Sequence, residues 1–467
     1  YRSNKAEWLA EILGQELRLN PPEITEEVNI IVSTWPSSRW LSEKLSIINN
    51  INALVKYPFP GSYLKRLVRK IIGIDPDEKD PWEKDQLVWS ILELLPELMK
   101  DDQSQIIRSW QKLSEKEDQQ INLNSWDLAN NIAEIFDDYI LYRPEIIKQW
   151  LSKKRKKKSR EISVNKNILW QEILFNLLYK KINKDPFCIQ VEKAIKRLKK
   201  DDISKLDYPT NLYVYGLSSL APLQIDLIQA FSKVINIKIY IISPCNDLWQ
   251  RCEARRLQFR NTWNTPPDKQ WLLESPRLEA FLGRMGAEFQ QLLEGSGEYQ
   301  LGDRNEEDIF SLTADIATNK GNKPSLLEQL QQELLFSKSE SILTKEKSDK
   351  SLLFLKSPGK YRQVELIRDH ILQLFSNDKE IQPRDILIMT PQVDSYTPII
   401  TSVFNNIDKN TTQLPWVITD KSQEDKVGLI HFVLNLLEIS ASRLTASILE
   451  NLLTNPALRT QQNISSD

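Results

Sequence analysis

The sequence predicts an α/β fold that consists of two parallel-sheet units, the first of which carries a large helical insertion. Short apolar runs rich in β-branched residues have the composition of buried parallel strands. They occupy residues 28–32, 212–215, 237–242, 352–355, 386–389 and 416–418. Between them, apolar residues recur at spacings of three and four, for example in residues 64–71, which indicates helices.

The runs are spaced unevenly, and their spacing predicts the domain boundaries. The long stretch between the first two runs has helical periodicity almost throughout, whereas a polar stretch and a charged segment precede the fourth run. Polar and charged segments of this kind are typical of linkers. We therefore predict a first α/β domain at residues 1–60 and 205–300, a helical insertion at 61–204, a linker at 301–350 and a second α/β domain, truncated at its C-terminus, at 351–467.

The charge balance and the cysteine count exclude several classes of function. The 467 residues include 62 Lys and Arg and 64 Asp and Glu, for a formal net charge of −2. Such a chain has no overall attraction to phosphate, so any contact with DNA has to come from a local patch. Three cysteines without CxxC spacing and only two histidines make a metal site unexpected. Because no apolar run approaches about 18 residues, we expect no membrane span and a cytoplasmic location.

Two α/β units with a helical insertion are the plan of a superfamily-one helicase motor, and also of many two-domain transferases. A motor needs a glycine-rich loop after its first strand, because backbone N–H groups must approach the phosphates closely. Here residues 33–40 read Ser-Thr-Trp-Pro-Ser-Ser-Arg-Trp. Gly359 and Lys360 follow another strand run, but they lack the first glycine and the final Ser or Thr of the motif, so a surface turn is the simpler interpretation. We expect no ATP hydrolysis by this chain.

The residues of a metal-dependent nuclease are also missing. Glu424 and Lys426 have a suitable spacing, but the nearest aspartate, Asp420, is too close to come from a neighbouring strand. His370 and His431 form no nucleophile–base pair with the scattered cysteines in the local sequence. We therefore predict no catalytic residues.

Aromatic and basic residues cluster after the first strand run and in the next helix. They are Trp35, Arg39, Phe59, Lys65 and Arg66. Aromatic rings stack on bases and cations bind phosphates, which is how proteins hold single-stranded nucleic acid. A packed core explains the same aromatic residues equally well. The basic run at residues 153–158 is either a further phosphate contact or a solvated loop.

A series of collinear segments resembles the RecC family, the gamma subunit of exodeoxyribonuclease V. The segments are residues 1–5, 40–41, 58–62, 135–144, 214–222, 243–245, 357–365 and 383–389. The most specific of them reads Ile-Phe-Asp-Asp-Tyr-Ile-Leu-Tyr-Arg-Pro, at residues 135–144. Together they span almost the whole chain.

The resemblance implies helicase-like domains without ATPase motifs, in a non-catalytic DNA-binding scaffold that bridges RecB-like and RecD-like subunits. Such a subunit belongs to an ATP-dependent helicase–nuclease that repairs double-strand breaks by homologous recombination. It binds the duplex end and single-stranded DNA, guides the 3′-ending strand and recognises a Chi-like signal. It has no cofactor of its own, because ATP and Mg²⁺ are used by the partner subunits.

The resemblance also implies a set of DNA-binding positions, where the family reads Chi. They are Ser33, Trp35, Arg39, Phe59, Lys65, Glu134, Ile135, Asp137 and Asp138. Trp35, Arg39 and Lys65 depart most from the family's pattern, which changes the donors and acceptors that face a base. Arg362 and Glu365 are possible contacts to DNA or a partner, or only a helix pair. Two alternatives stay open at this point, a nucleotide-dependent transferase with its ligand between the domains and a helical interaction module.

Overall fold

A computed structural model describes the chain at residues 1–23, 27–98, 123–152, 166–200, 209–246, 307–336, 343–405 and 414–419, with isolated residues or short pieces within 286–305 and 433–461. The chain divides into two compact units, Tyr1–Leu352 and Leu353–Asp467. None of the helices in these ranges is long and apolar enough to cross a membrane.

The first unit contains a parallel β-sheet. Its strands are β1 (Arg2–Ser3), β2 (Val28–Ile31), β3 (Val55–Lys56), β4 (Asn211–Tyr215) and β5 (Asn236–Ile242). They pair in the order β1-β5-β4-β2-β3, and every pairing is parallel. The predictions of strands at residues 28–32, 212–215 and 237–242 are confirmed. The sequence pattern missed β1 and β3, because two residues are too few to show a period.

Helices connect the strands and follow the last of them. They are α1 (Ala6–Leu19), α2 (Trp35–Asn49), α3 (Pro60–Ile72), α4 (Lys84–Leu98), α5 (Leu123–Tyr142), α6 (Pro144–Leu151), α7 (Lys166–Ile182), α8 (Phe187–Lys200), α9 (Pro222–Phe231), α10 (Thr313–Asn319) and α11 (Leu326–Phe336). Because α3 to α8 all lie between β3 and β4, the described part of residues 61–204 is mainly helical.

Both faces of the sheet are buried, which explains why the strands read as continuous apolar runs. Ile30 of β2 lies in a core with Leu9, Leu13 and Leu41 of the two helices on one face. The next residue, Ile31, lies in the larger core formed by the helices of the other face. Successive side chains of a strand point to opposite faces, so a strand covered on both sides has few polar positions.

The segment predicted as a linker, residues 301–350, contains α10 and α11 and contacts the start of the chain. The Arg2 guanidinium forms two hydrogen bonds to the Asp308 carboxylate, at 2.6 and 2.7 Å. The Thr313 hydroxyl donates to the Glu328 carbonyl and so connects the two helices. Polar composition suggested a linker here, but these polar side chains are used for contacts within the first unit.

The second unit contains α12 (Lys360–Asn377), α13 (Val393–Asn405), a short 3₁₀ turn (Pro383–Asp385) and α14 (Ala446–Leu453). Its small core is formed by Val364, Ile371, Val403, Phe404 and Leu414. The Trp416 ring packs edge-to-face on Phe404, with centroids 6.2 Å apart. This core holds α12 and α13 together.

The prediction of strands at residues 352–355, 386–389 and 416–418 is wrong in this structure, because the described residues of the second unit include no paired strand. Their apolar side chains are largely exposed, including Phe354 at 91% and Met389 at 84%. Composition alone indicated burial, whereas a strand also needs a neighbour for its backbone N–H and C=O groups.

Candidate nucleic-acid interface

The strand order places a switch point between β2 and β4. The chain runs outward from β2 to β3 and in the opposite direction from β4 to β5, while β2 and β4 are neighbours. In open α/β sheets, ligands bind outside the carboxyl ends of the strands at such a point. Residues that follow β2 and β4, from Ser33 and Gly216 onward, therefore occupy the position where a ligand is expected.

The turn after β2 presents an aromatic ring instead of an open phosphate loop. The Thr34 hydroxyl caps α2 by accepting a hydrogen bond from the Ser37 N–H at 3.3 Å. The first two residues of α2 are Trp35 and Pro36. The proline has no N–H, and the cap already uses one of the donors that a phosphate would need. The local geometry agrees with the missing glycine-rich motif.

Trp35, Arg39 and Phe59 form an exposed aromatic and cationic surface beside this turn. Trp35 is 65% exposed, and the Arg39 guanidinium carbon lies 6.0 Å from the centroid of its ring. The Val32 N–H donates to the Pro58 carbonyl, which brings the turn after β2 against the one that leads to Phe59. Phe59 precedes the first residue of α3 and is 45% exposed. Core packing, the alternative explanation for these rings, does not account for such exposure.

Lys65 lies one and a half turns further along α3, in an ion-pair network. Its ammonium lies 2.5 Å from the Asp80 carboxylate and 2.8 Å from that of Glu83. Asp80 is almost fully buried and also contacts the Arg69 guanidinium at 3.1 Å. The charge of Lys65 is therefore largely compensated inside the protein. Its attraction for a phosphate is weakened accordingly.

The acidic candidates lie on α5, beside this network. Asp137 is half-buried, while Glu134 and Asp138 are exposed, and Glu134 pairs with Lys84 at 2.9 Å. Burial raises the pKa of Asp137, Lys65 opposes that rise, and the carboxylates of Asp138, Asp80 and Glu83 add to it. Ile135, which the resemblance also selects, is 39% exposed on the same helix.

The raised pKa of Asp137 predicts a pH-dependent cost to stability. The folded state holds its proton more tightly than the unfolded state does, so this group stabilises the protein at low pH and loses that contribution as pH rises above the ordinary value of 3.8. Asp137→Asn should therefore raise the free energy of unfolding at pH 7, and the gain should shrink as pH falls toward 4. Urea denaturation at several pH values measures it, with Asp138→Asn as the exposed control. A variant less stable than the wild type at pH 7 would contradict this reasoning.

The remaining candidates belong to the second unit or lie outside the described residues. Arg362 and Glu365 form an exposed pair on α12 of the second unit, at 2.9 Å, as the simple helix-pair interpretation expects. The basic run at residues 153–158 and the group Asp420, Glu424 and Lys426 are outside the described residues. Within the described ranges, no cluster of three or more His, Cys, Asp or Glu could hold a metal ion.

Sequence reasoning missed the residues that organise the surface. Asp80 and Glu83 follow Lys65 by 15 and 18 positions, too far for a helix-spacing rule to connect them. The Thr34 cap had a local signal, a threonine just before a proline at the start of a helix.

Comparison with known proteins places the chain in a family. The model of the RecC N-terminal domain matches residues 1–337. The chain belongs to the RecC family. It is 25% identical to the RecBCD enzyme subunit RecC of Haemophilus influenzae, over all of this chain and 44% of that protein. It is 23% identical to the subunit of the same name from Escherichia coli, over all of this chain and 43% of that protein.

Further relatives carry the same name. The RecBCD enzyme subunit RecC of Mycobacterium tuberculosis is 24% identical, over all of this chain and 41% of that protein. The chain thus spans less than half the length of the curated relatives it matches. Membership of the RecC family makes the chain a relative of subunits of the RecBCD enzyme, and it confirms the resemblance found in the sequence.

Proposed function

We propose that this chain is a non-catalytic, DNA-binding scaffold of a RecBCD-type helicase–nuclease, and that it guides the unwound 3′-ending strand. The observation that carries the proposal is the exposed surface of Trp35, Arg39 and Phe59 at the switch point of the sheet, where a motor would hold nucleotide. In this proposal RecB-like and RecD-like partners supply ATP hydrolysis, Mg²⁺ and cleavage in the cytoplasm, and this chain needs no cofactor.

The chemistry of the surface suits single strands better than duplex or nucleotide. A ring that is 65% exposed offers a face on which a base can stack, and stacking tolerates any base because each has a π face. Arg39 lies over the same ring and can pair with a neighbouring phosphate. The acidic residues of α5 are suited to accept hydrogen bonds from base amino groups, so recognition of a Chi-like sequence belongs to the same proposal.

Binding of a single strand should depend on Trp35, Arg39 and salt. Trp35→Ala should weaken binding of a fluorescent single-stranded oligonucleotide by about 1–3 kcal/mol, roughly 5- to 150-fold in Kd, because a stacked base is lost. Arg39→Ala should weaken it less and reduce the salt dependence between about 50 and 200 mM, since one phosphate contact is lost. Anisotropy titration measures both effects.

Phe354 of the second unit, which is 91% exposed and is none of the candidate positions, supplies the control, and Phe354→Ala should bind as the wild type does. If the folded chain binds no oligonucleotide at either salt concentration, or binds equally well without Trp35 and Arg39, this surface is not the strand site.

A further inference from the structure

A second exposed aromatic pair lies in the helical insertion of the first unit. Trp89 of α4 and Trp126 of α5 meet with ring centroids 5.0 Å apart at an interplanar angle of 66°. Trp126 packs against the large core, but Trp89 is 58% exposed. A tryptophan that served only the core would be buried, so most of this indole surface is open to a ligand.

The pair lies on a path that leads away from Trp35 and Phe59. Phe59 directly precedes α3, Lys65 lies on its second turn, and the Lys65 charge acts on Asp137 of α5. Three residues before Asp137, Glu134 pairs with Lys84 of α4. Trp89 is five residues beyond Lys84 on α4 and Trp126 is eight residues before Glu134 on α5, so these antiparallel helices place the pair roughly 8–12 Å further along their seam.

Ion pairs reduce the negative charge along the path. Lys65 offsets Glu83 and Lys84 offsets Glu134, whereas Asp137 and Asp138 add negative charge that suits base amino groups rather than phosphates. Beyond the aromatic pair, Lys181 of α7 reaches Glu93, which is one turn after Trp89 on α4. Two ion-paired lysines, Lys84 and Lys181, thus lie on the two sides of the aromatic pair, and a phosphate that flanks a stacked base would compete with Glu134 and Glu93 for them.

We propose that Trp89 and Trp126 form a second stacking site for single-stranded DNA, at the far end of a track that begins at Trp35 and Phe59. The inference rests on the proposed function, because it extends the same strand path. The occupant is a single strand, since an exposed indole offers a face on which an unpaired base can stack, and it lies on the α4–α5 seam that also carries the acidic residues of the candidate interface.

Oligonucleotide length separates the two sites. We would titrate the whole chain with fluorescent oligo-dT of about 6 and about 20 nucleotides, lengths that bracket a single binding fold. Trp89→Ala should weaken the 20-mer at least about 5-fold and leave the 6-mer unchanged, whereas Trp35→Ala should weaken both. Phe354→Ala again serves as the control, and circular dichroism checks the fold of each variant.

Each outcome decides one of the two proposals. Unchanged binding of the 20-mer by Trp89→Ala, or equal losses for both lengths, would overturn the second site while a Trp35 effect preserves the first. Failure of both oligonucleotides to bind the wild type would overturn the proposed function itself. If Trp89→Ala does not fold, photo-crosslinking of a 5-iodouridine 20-mer to the wild type replaces it, and crosslinks confined to peptides outside α4 and α5 would overturn the second site.

Discussion

Replacing Asp80 by alanine is expected to lower the free energy of unfolding by about 3–5 kcal/mol, because it leaves a buried cation without its partner. The Asp80 carboxylate is 2% exposed and contacts the Lys65 ammonium at 2.5 Å and the Arg69 guanidinium at 3.1 Å. It also accepts a hydrogen bond from the Trp82 backbone N–H at 3.0 Å. Arg69 is itself 7% exposed, so water cannot replace the lost carboxylate at little cost.

Urea denaturation followed by circular dichroism measures the change. Asp77→Ala is the matched control, since Asp77 is 75% exposed and only meets Arg66 across 3.3 Å at the surface. It should leave stability almost unchanged, because exposed pairs contribute little. A loss for Asp80→Ala no larger than that of the control would show that the network does not hold α3 in place.

Replacing Phe136 by alanine is expected to cost about 3–5 kcal/mol of stability, through lost burial and the cavity left behind. Phe136 is fully buried on α5 in the large core. Its ring meets Phe175 edge-to-face at 5.3 Å and Trp150 at 6.3 Å, so three segments of the helical insertion share this contact. Loss of the ring should also loosen α5, which carries the acidic residues of the candidate interface.

Thermal and urea denaturation both test this expectation. Phe354→Ala, in the second unit, removes the same ring from a side chain that is 91% exposed and should change stability little. Equal effects for the two variants would mean that Phe136 is not part of a tightly packed core.

Local chemistry explains why much of the first unit was predictable. Buried parallel strands are continuous apolar runs, so the strands at residues 28–32, 212–215 and 237–242 could be predicted from composition. The absence of a phosphate loop could also be predicted, because such a loop needs glycines within one turn, and residues 33–40 contain a proline and no glycine. The same rule failed at residues 352–355 and 386–389, where composition is right for a strand but the described residues supply no paired neighbour.

The candidate interface could be predicted only in part, because some of its features depend on residues that are distant in the chain. Short contiguous segments carry the aromatic and basic residues that follow β2, the absence of a phosphate-loop motif there and the resemblance to a family, so all three could be read from the amino-acid order. The exposure of Trp35, the ion pairs of Lys65 with Asp80 and Glu83, and the contact of Trp89 with Trp126 became visible only in the folded chain. Exposure and ion pairing depend on residues brought together by packing across long separations in the chain, and no local spacing records them.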